Sequence, residues 1–301
     1  GRPDDAGTWR LMVYFVRRYI NVTFSGSGKP TVKLTNHRVS ARINVGGAPG
    51  MGEAQVSIYG MKLELMNQLA TFGAAIHPTY DFKIVVDAGD EINGMNTVFE
   101  GSISQAWGEF QSAPEVPFHV LAQAQLTGAV QRTGQDYNSY DGPTDVGQMM
   151  SKLAQTMGLK FENGGVNVKL ESPYHYGSPL VQANLIREAA NISMVVENGV
   201  LAIWPIDKPR PGAAADVNYI SPQTGMVSYP TFTDYGVMVK TEFRKPIKYG
   251  TEVTIQSDLK PACGKWSVRL QDYDLQSLVP NGHWFLSLGC MQAQYAGPAI
   301  L

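Results

Sequence analysis

The chain has 301 residues, of which 17% are charged, and it contains 31 glycines and 18 prolines. This composition is typical of a folded, turn-rich β protein and excludes a disordered chain. The formal net charge is −2, from 24 basic and 26 acidic side chains. A protein that binds duplex DNA by neutralising phosphates carries a basic balance or a basic stripe. Because this sequence has neither, we expect no sequence-specific nucleic-acid binding.

Cys263 and Cys290 are too few for a disulfide scaffold, and two buried, reduced thiols are the favoured interpretation. No apolar run approaches the roughly 20 residues that span a bilayer. Residues 1–5 are polar and do not resemble a signal peptide, and residues 1–10 are expected to form a flexible leader.

The first 125 residues are predicted to be mostly β-strand with one helix. Alternation of apolar and polar residues and the intervening turn residues predict strands at 13–24, 31–45, 54–59, 80–88, 96–110 and 116–125. Between them, Leu63, Met66, Leu69 and Phe72 recur at helical spacing and predict a helix that ends at Gly73.

The middle of the chain changes to helices that alternate with pairs of strands. Helices are predicted at 146–157, after the capping residues Thr144 and Asp145, and from Ser178 to about Ala190. Each helix is followed by two short strands, at 159–162 and 166–170 and then at 193–197 and 200–204. Asn198-Gly199 is a type I′ hairpin signal. We interpret this part as a compact α+β unit with the order αββαββ.

A linker at 207–215 precedes a second all-β region, with strands predicted at 237–243, 252–256, 265–273 and 284–291. The predicted domains are therefore 1–129, a β domain with one helix; 130–208, the α+β unit; and 209–301, a second β domain. Two β domains with long strands expose unpaired edges, which are closed or paired with a neighbour, and this favours an oligomeric ring.

The sequence offers little evidence of catalysis, and we predict that the protein is not an enzyme and has no cofactor or metal. The five histidines and two cysteines show no metal-ligand spacing. The stretch from Ser25 to Thr31 fails as a phosphate loop because Pro30 follows the lysine and the stretch joins two predicted strands. No GxSxG motif occurs.

Asp272 and Asp274 are the acidic pair that a glycosidase-like function would use. They are two residues apart on a predicted strand and therefore share one face, as a carboxylate pair in one cleft requires. Exposed carboxylates without catalytic function are the favoured interpretation. The pair nevertheless keeps open an alternative function, a peptidoglycan hydrolase.

Several segments together resemble baseplate hub proteins of contractile-tailed, Mu-like bacteriophages. The resemblance lies in residues 15–22, 59–73, 98–110, 198–204 and 220–232, the last reading ISPQTGMVSYPTF. It continues through the C-terminal stretches GKWSV, DYDL and PNGHWF. Family members often have His before the Asp-Leu of the DYDL stretch, where this chain has Tyr273.

The resemblance implies two tube-type β-barrel domains that flank the small α+β domain, in a homotrimer with a pseudo-sixfold ring. Such a hub joins the tail tube, or a tube-initiator protein, to the trimeric central spike and encloses a channel for the tape measure protein and DNA. Other baseplate proteins are further implied partners. The implied location is the baseplate of the virion tail, after assembly in the bacterial host cytoplasm.

Four aromatic residues of the second β region are structural or interface candidates: Tyr229, Phe232, Trp284 and Phe285. For each, packing in the core is favoured over a place in an interface. Trp and Tyr residues that could lie at the surface also leave open a third class of function, a carbohydrate-binding module, which a glycan screen would test.

Overall fold

The structure of the protein is a computed structural model. It describes residues 16–26, 29–48, 52–70, 82–124, 136–139, 141–171, 173–214 and 217–292. Within those residues, no helix is both long and apolar enough to cross a membrane.

The first part of the chain forms a group of antiparallel strands with one short helix. Its elements are β1 (Arg18–Gly26), β2 (Lys29–Leu34), β3 (Val39–Gly46), β4 (Glu53–Tyr59), α1 (Leu63–Leu69), β5 (Phe82–Asp90), β6 (Gly94–Gly108) and β7 (Pro117–Gln123). The single strand predicted at 31–45 is in fact two strands. Asn36, which has a φ of 57°, turns the chain between β2 and β3, because asparagine tolerates the left-handed region. The predictions at 13–15, 71–81 and 125 lie outside the described residues.

The middle of the chain is a separate α+β unit. Its elements are β8 (Asp136–Ser139), β9 (Pro143–Asp145), α2 (Val146–Thr156), β10 (Lys160–Asn163), β11 (Lys169–Glu171), β12 (Tyr174–Gly177), α3 (Pro179–Ala189), β13 (Ile192–Glu197) and β14 (Val200–Pro205). The carboxylate of Asp145 accepts a hydrogen bond from the Gln148 backbone, and Ser178 caps α3 in the same way. Both predicted helices are confirmed.

The strands of this unit pair differently from the order of the sequence. β10 pairs in parallel with β14, and β14 pairs with β13 through the predicted Asn198-Gly199 turn. β10 and β11, on either side of the turn at 163–165, do not pair with each other. β11 pairs with β9 instead. The Asn163 side chain accepts hydrogen bonds from the backbone of Gly165 and Val166 and redirects the chain there.

The last part of the chain is again all β. Its strands are β15 (Tyr219–Ile220), β16 (Thr231–Thr233), β17 (Gly236–Glu242), β18 (Glu252–Ile255), β19 (Gly264–Ser277) and β20 (Trp284–Met291). Buried positions alternate with half-buried ones along β20, and with half-buried or exposed ones along the second half of β19, as in strands with one face on a core.

Both β regions belong to one large sheet with the strand order β16-β17-β20-β19-β3-β4-β7-β6-β5-β1-β2. The two regions meet where β19 pairs antiparallel with β3, with Asp274 opposite Arg42 and Tyr273 opposite Ile43. One hydrophobic cluster runs beneath both regions, and a second fills the α+β unit between α2, α3 and their sheet. The β-rich α+β class predicted from the sequence is confirmed.

The two β regions repeat one strand arrangement. In the first region the order is β3-β4-β7-β6-β5, and in the second it is β16-β17-β20-β19-β18. The longest strand of each set carries a register shift against its neighbour, between Ile103 and Gln105 in β6 and between Val268 and Leu270 in β19. Because even this irregularity recurs, pairing partners in one region identify equivalent positions in the other.

Candidate interaction surface

The segment at 226–235 forms an exposed aromatic edge of the large sheet. It runs antiparallel alongside β17, with Met226 opposite Thr241 and Phe232 opposite Val237. Tyr229 is 67% exposed and Phe232 is 51% exposed. Both therefore lie at the surface of the single chain, in the part of the sequence that carried the resemblance.

Trp284 and Phe285 are neighbours in β20 and point to opposite faces of the sheet. Trp284 is buried, and its ring makes a T-shaped contact with the Phe243 ring at a centroid distance of 5.6 Å. Phe285 is half-buried on the other face, with the Lys240 ammonium 4.2 Å from its ring centroid. Of the four candidate aromatics, Trp284 lies in the core, Phe285 lies on the open face, and Tyr229 and Phe232 lie at the edge.

The open face of β19 carries the acidic pair. Asp274 Oδ2 lies 2.7 Å from His283 Nδ1. Partial desolvation raises the pKa of Asp272, and the Asp274 carboxylate raises it further, while Arg42 and Lys240 act in the opposite direction. The two carboxylates share a face as predicted. Arg42 on the adjacent strand β3 and Lys240 on β17, one strand beyond β20, act on Asp272 there.

A hydrogen-bonded network on β4, β6 and β7 was not singled out from the sequence. His119 Nδ1 lies 3.0 Å from Ser57 Oγ, and His119 Nε2 lies 3.0 Å from Glu109 Oε2. The hydrogen bond from His119 is the main reason that the pKa of Glu109 is lowered. The Trp107 ring, 40% exposed, lies beside the imidazole at a centroid distance of 5.3 Å. Alternation within β4 and β7 places Ser57 and His119 on the solvent face, but only their pairing brings them together.

A buried ion-pair cluster around Arg210, in the linker, was also not predicted from the sequence. Arg210 is buried, and its guanidinium bonds Glu197 at 2.8 Å and Glu162 at 2.9 Å. Burial raises the pKa of Glu197, whereas the hydrogen bond from Arg210 lowers the pKa of Glu162. These contacts fasten the linker to the α+β unit. Among the described residues, no group of three or more His, Cys, Asp or Glu side chains could hold a metal ion.

Solved structures of phage-tail proteins share this fold. A 43 kDa tail protein of prophage MuSo2 from Shewanella oneidensis matches with a TM-score of 0.60 and 8% identity, over 91% of this chain and 98% of its own. A tail protein from Neisseria meningitidis MC58 matches with a TM-score of 0.60 and 9% identity, over 92% and 98%.

A third structure extends the likeness beyond phages. It is an E. coli protein described as a component of the type VI secretion system, with structural similarity to the T4 bacteriophage tail proteins gp27 and gp5. Its TM-score is 0.54 at 10% identity, over 91% of this chain and 77% of its own. A comparison with curated protein sequences gives no match. At these identities the three structures establish the fold alone, that of phage-tail and related proteins.

The family model for baseplate hub gp41 matches residues 19–282, which is most of the chain. The protein belongs to this baseplate hub family. It is a structural protein of the phage tail baseplate, and the baseplate is where it resides in the virion. The resemblance noted in the sequence is thereby confirmed.

Proposed function

We propose that three copies of this chain form a pseudo-sixfold ring that joins the tail tube to a trimeric central spike. The observation that carries the proposal is the repeated strand order, β3-β4-β7-β6-β5 and β16-β17-β20-β19-β18. A chain with two similar units presents six such units when three chains close a ring. This arrangement reconciles a sixfold tube with a threefold spike.

In this proposal the domains span 1–129, 130–208 and 209–301, and the first and third are tube-type barrels. One side of the ring accepts the tail tube or its initiator protein, and the other accepts the spike. The lumen is part of the channel for the tape measure protein and DNA. The ring contacts other baseplate proteins, is built in the host cytoplasm, and has no enzymatic activity.

Electron microscopy of the chain co-expressed with its genomic neighbours tests the proposal. The expected particle is a ring with threefold symmetry and a central channel, carrying a spike on one side. A monomer that joins none of the neighbours would overturn the proposal.

The raised pKa of Asp272 favours one alternative, a peptidoglycan hydrolase that uses Asp272 and Asp274. A general acid needs a pKa raised towards the working pH, and Asp272 has a raised pKa. Against this function, Asp274 is engaged with His283, and the pair lies on the face of a sheet. Peptidoglycan digestion by assembled baseplates that carry Asp272→Asn decides between the two functions. The hub proposal expects no loss of digestion, and the hydrolase requires at least a hundredfold loss.

A further inference from the structure

A cleft of about 980 Å³ lies where strand ends of the two β regions meet. Its walls come from the start of β1, the β5–β6 turn, the end of β17 and the β19–β20 connection. The two regions are joined edge to edge through β3 and β19, so a ring that continues this sheet turns its strand edges towards neighbouring copies. Strand ends and turns then lie on the two open sides of the ring. The cleft is therefore placed to receive a protein that stacks on one of those sides.

Arg18 links the two β regions within this cleft. It stands at the start of β1, and its guanidinium forms an ion pair with Glu242 at the end of β17. It also donates a 3.4 Å hydrogen bond to the carbonyl oxygen of Gly282, and it lies 5.6 Å from the centroid of the buried Trp284 ring. Because contacts within the chain hold its walls together, the cleft is formed before any partner binds.

Both carboxylates that line the cleft are already engaged. Glu242 is paired with Arg18, and the Asp90 carboxylate accepts hydrogen bonds from the backbone and side-chain amides of Asn93. The Asp90 contacts fix the turn that follows β5. These two groups are therefore occupied in holding the walls of the cleft.

Two further arginines of the cleft have no such partner. Arg17 is exposed and Arg244 is half-buried, and neither forms an ion pair with another described side chain. With Arg18, the cleft holds three guanidinium groups against two carboxylates, so its excess charge is positive. A guanidinium matches the paired oxygens of a carboxylate or a phosphate, and an occupant that neutralises the cleft carries one of these anions.

Exposed apolar side chains in the same cleft favour a carboxylate on a protein over a phosphate. Ile92 is 70% exposed and Leu278 is 45% exposed, and both line the cleft. Leu278 has a φ of 56°, in the left-handed region that leucine rarely adopts, and its side chain gains little burial in return. Phosphate contacts of a nucleic acid leave such side chains uncovered. A protein segment with apolar residues beside its carboxylates covers them and neutralises the arginines together.

We propose that the cleft binds an acidic segment of the tail protein that stacks on this side of the ring. Carboxylates of the segment pair with Arg17 and Arg244, and its apolar side chains pack against Ile92 and Leu278. The occupant is a different protein rather than a second copy, because neighbouring copies in a ring meet at strand edges. That this partner belongs to the tail tube or the spike rests on the proposed function, whereas the site and the chemistry of its occupant do not.

Site-specific photo-cross-linking in assembled complexes identifies the occupant. Leu278 is replaced by p-benzoylphenylalanine in the full chain, which is co-expressed with the tail-tube and spike proteins of its genomic neighbourhood. After irradiation, mass spectrometry is expected to find the cross-link in an acidic segment of one of those proteins. The matched control places the same photoreactive residue at Val181, which is 47% exposed on α3, and should give no cross-link to that segment. A cross-link from position 278 to nucleic acid or to a second copy of the chain would overturn the proposal.

Charge reversal measures what the arginines contribute. Arg17→Glu with Arg244→Glu should lower the amount of partner bound per chain by about tenfold or more, because like charges then face each other. Lys169→Glu with Lys208→Glu makes the same change in net charge at two exposed lysines outside the cleft, and should leave binding unchanged. Replacing the cross-linked acidic residues of the partner by lysine should restore binding to the charge-reversed chain. Undiminished binding by that chain, with an unchanged circular dichroism spectrum, would show that the cleft is not the docking site.

The same measurements separate this inference from the proposed function. If the wild-type ring forms with its partner and charge reversal removes neither, the cleft proposal is wrong and the hub function stands. If the wild type forms no ring but still binds the tail protein, and charge reversal abolishes that binding, the hub function fails and the cleft proposal stands.

Discussion

Arg210 Nη1 donates a 2.8 Å hydrogen bond to Glu197 Oε2, and both side chains are buried where the linker meets the α+β unit. Arg210 also bonds the carbonyl oxygen of Tyr249, and its guanidinium lies 5.9 Å from the centre of the Trp204 ring. The segment that composition marks as a linker therefore holds the α+β unit against the second β region.

We expect Arg210→Met to destabilise the chain by about 3–5 kcal/mol, because it leaves the Glu197 carboxylate buried without its partner. Urea unfolding followed by circular dichroism measures the change. Arg38→Met is the matched control, since Arg38 pairs with Glu115 at the surface and its loss should cost at most about 1 kcal/mol. Equal effects of the two substitutions would contradict the role given to Arg210.

Trp284 is the candidate aromatic that the structure places in the core, where its ring contacts Phe243. Trp284→Ala should lower the free energy of unfolding by about 3–5 kcal/mol, because the substitution leaves a cavity in a packed interior. Phe285 is next in the strand but half-buried on the open face. Phe285→Ala should therefore lower the free energy of unfolding by clearly less. Thermal unfolding of both variants checks the ranking, and the reverse order would be inconsistent with the packing described here.

The carboxyl group of Asp272 should titrate above the usual range for aspartate. Carbon-detected NMR of the side-chain carboxyl groups measures the midpoint. Removal of the neighbouring charge by Asp274→Asn should lower the pKa of Asp272, since that carboxylate disfavours the ionised form.

The sign of the accompanying pH effect on stability follows from the raised pKa. The folded chain binds a proton at Asp272 more readily than the unfolded chain does. Asp272 therefore stabilises the folded chain at pH values below its pKa in the unfolded chain. This stabilisation is lost as the pH rises through its pKa in the folded chain. An Asp272 midpoint that does not move in Asp274→Asn would show that the two carboxylates do not interact.

Burial raises the pKa of the Cys290 thiol to about 12. In a Cys263→Ser variant we therefore expect no reaction with Ellman's reagent at pH 8 in the folded state, and one thiol per chain in denaturant. Cys263 is half-buried, and its thiol donates a hydrogen bond to the carbonyl of Ser257. Rapid labelling of Cys290 in the folded chain would mean that this part of the core opens readily.

The local signals of the sequence were sufficient for most individual elements. Asp145 and Ser178 cap the two helices of the α+β unit, and Asn198-Gly199 forms its hairpin turn, because these depend on contacts within a few residues. The same reasoning failed at Asn36, where one residue in the left-handed region divides a continuous alternating pattern into two strands. Alternation records which face a residue occupies, and it does not record where a strand bends away.

The sequence by itself determined the β-rich α+β class, the order of the three regions and the resemblance to baseplate hubs, since periodicity, turn residues and segment order are local properties. Only the tertiary structure decided which strands that are distant in the chain are neighbours. The β19–β3 contact pairs residues more than 200 positions apart, and no local signal encodes such a pairing. The buried Arg210 cluster and the exposed position of Phe232 were likewise decided only by the tertiary structure. Burial and charge pairing depend on which distant surfaces meet when the sheet forms.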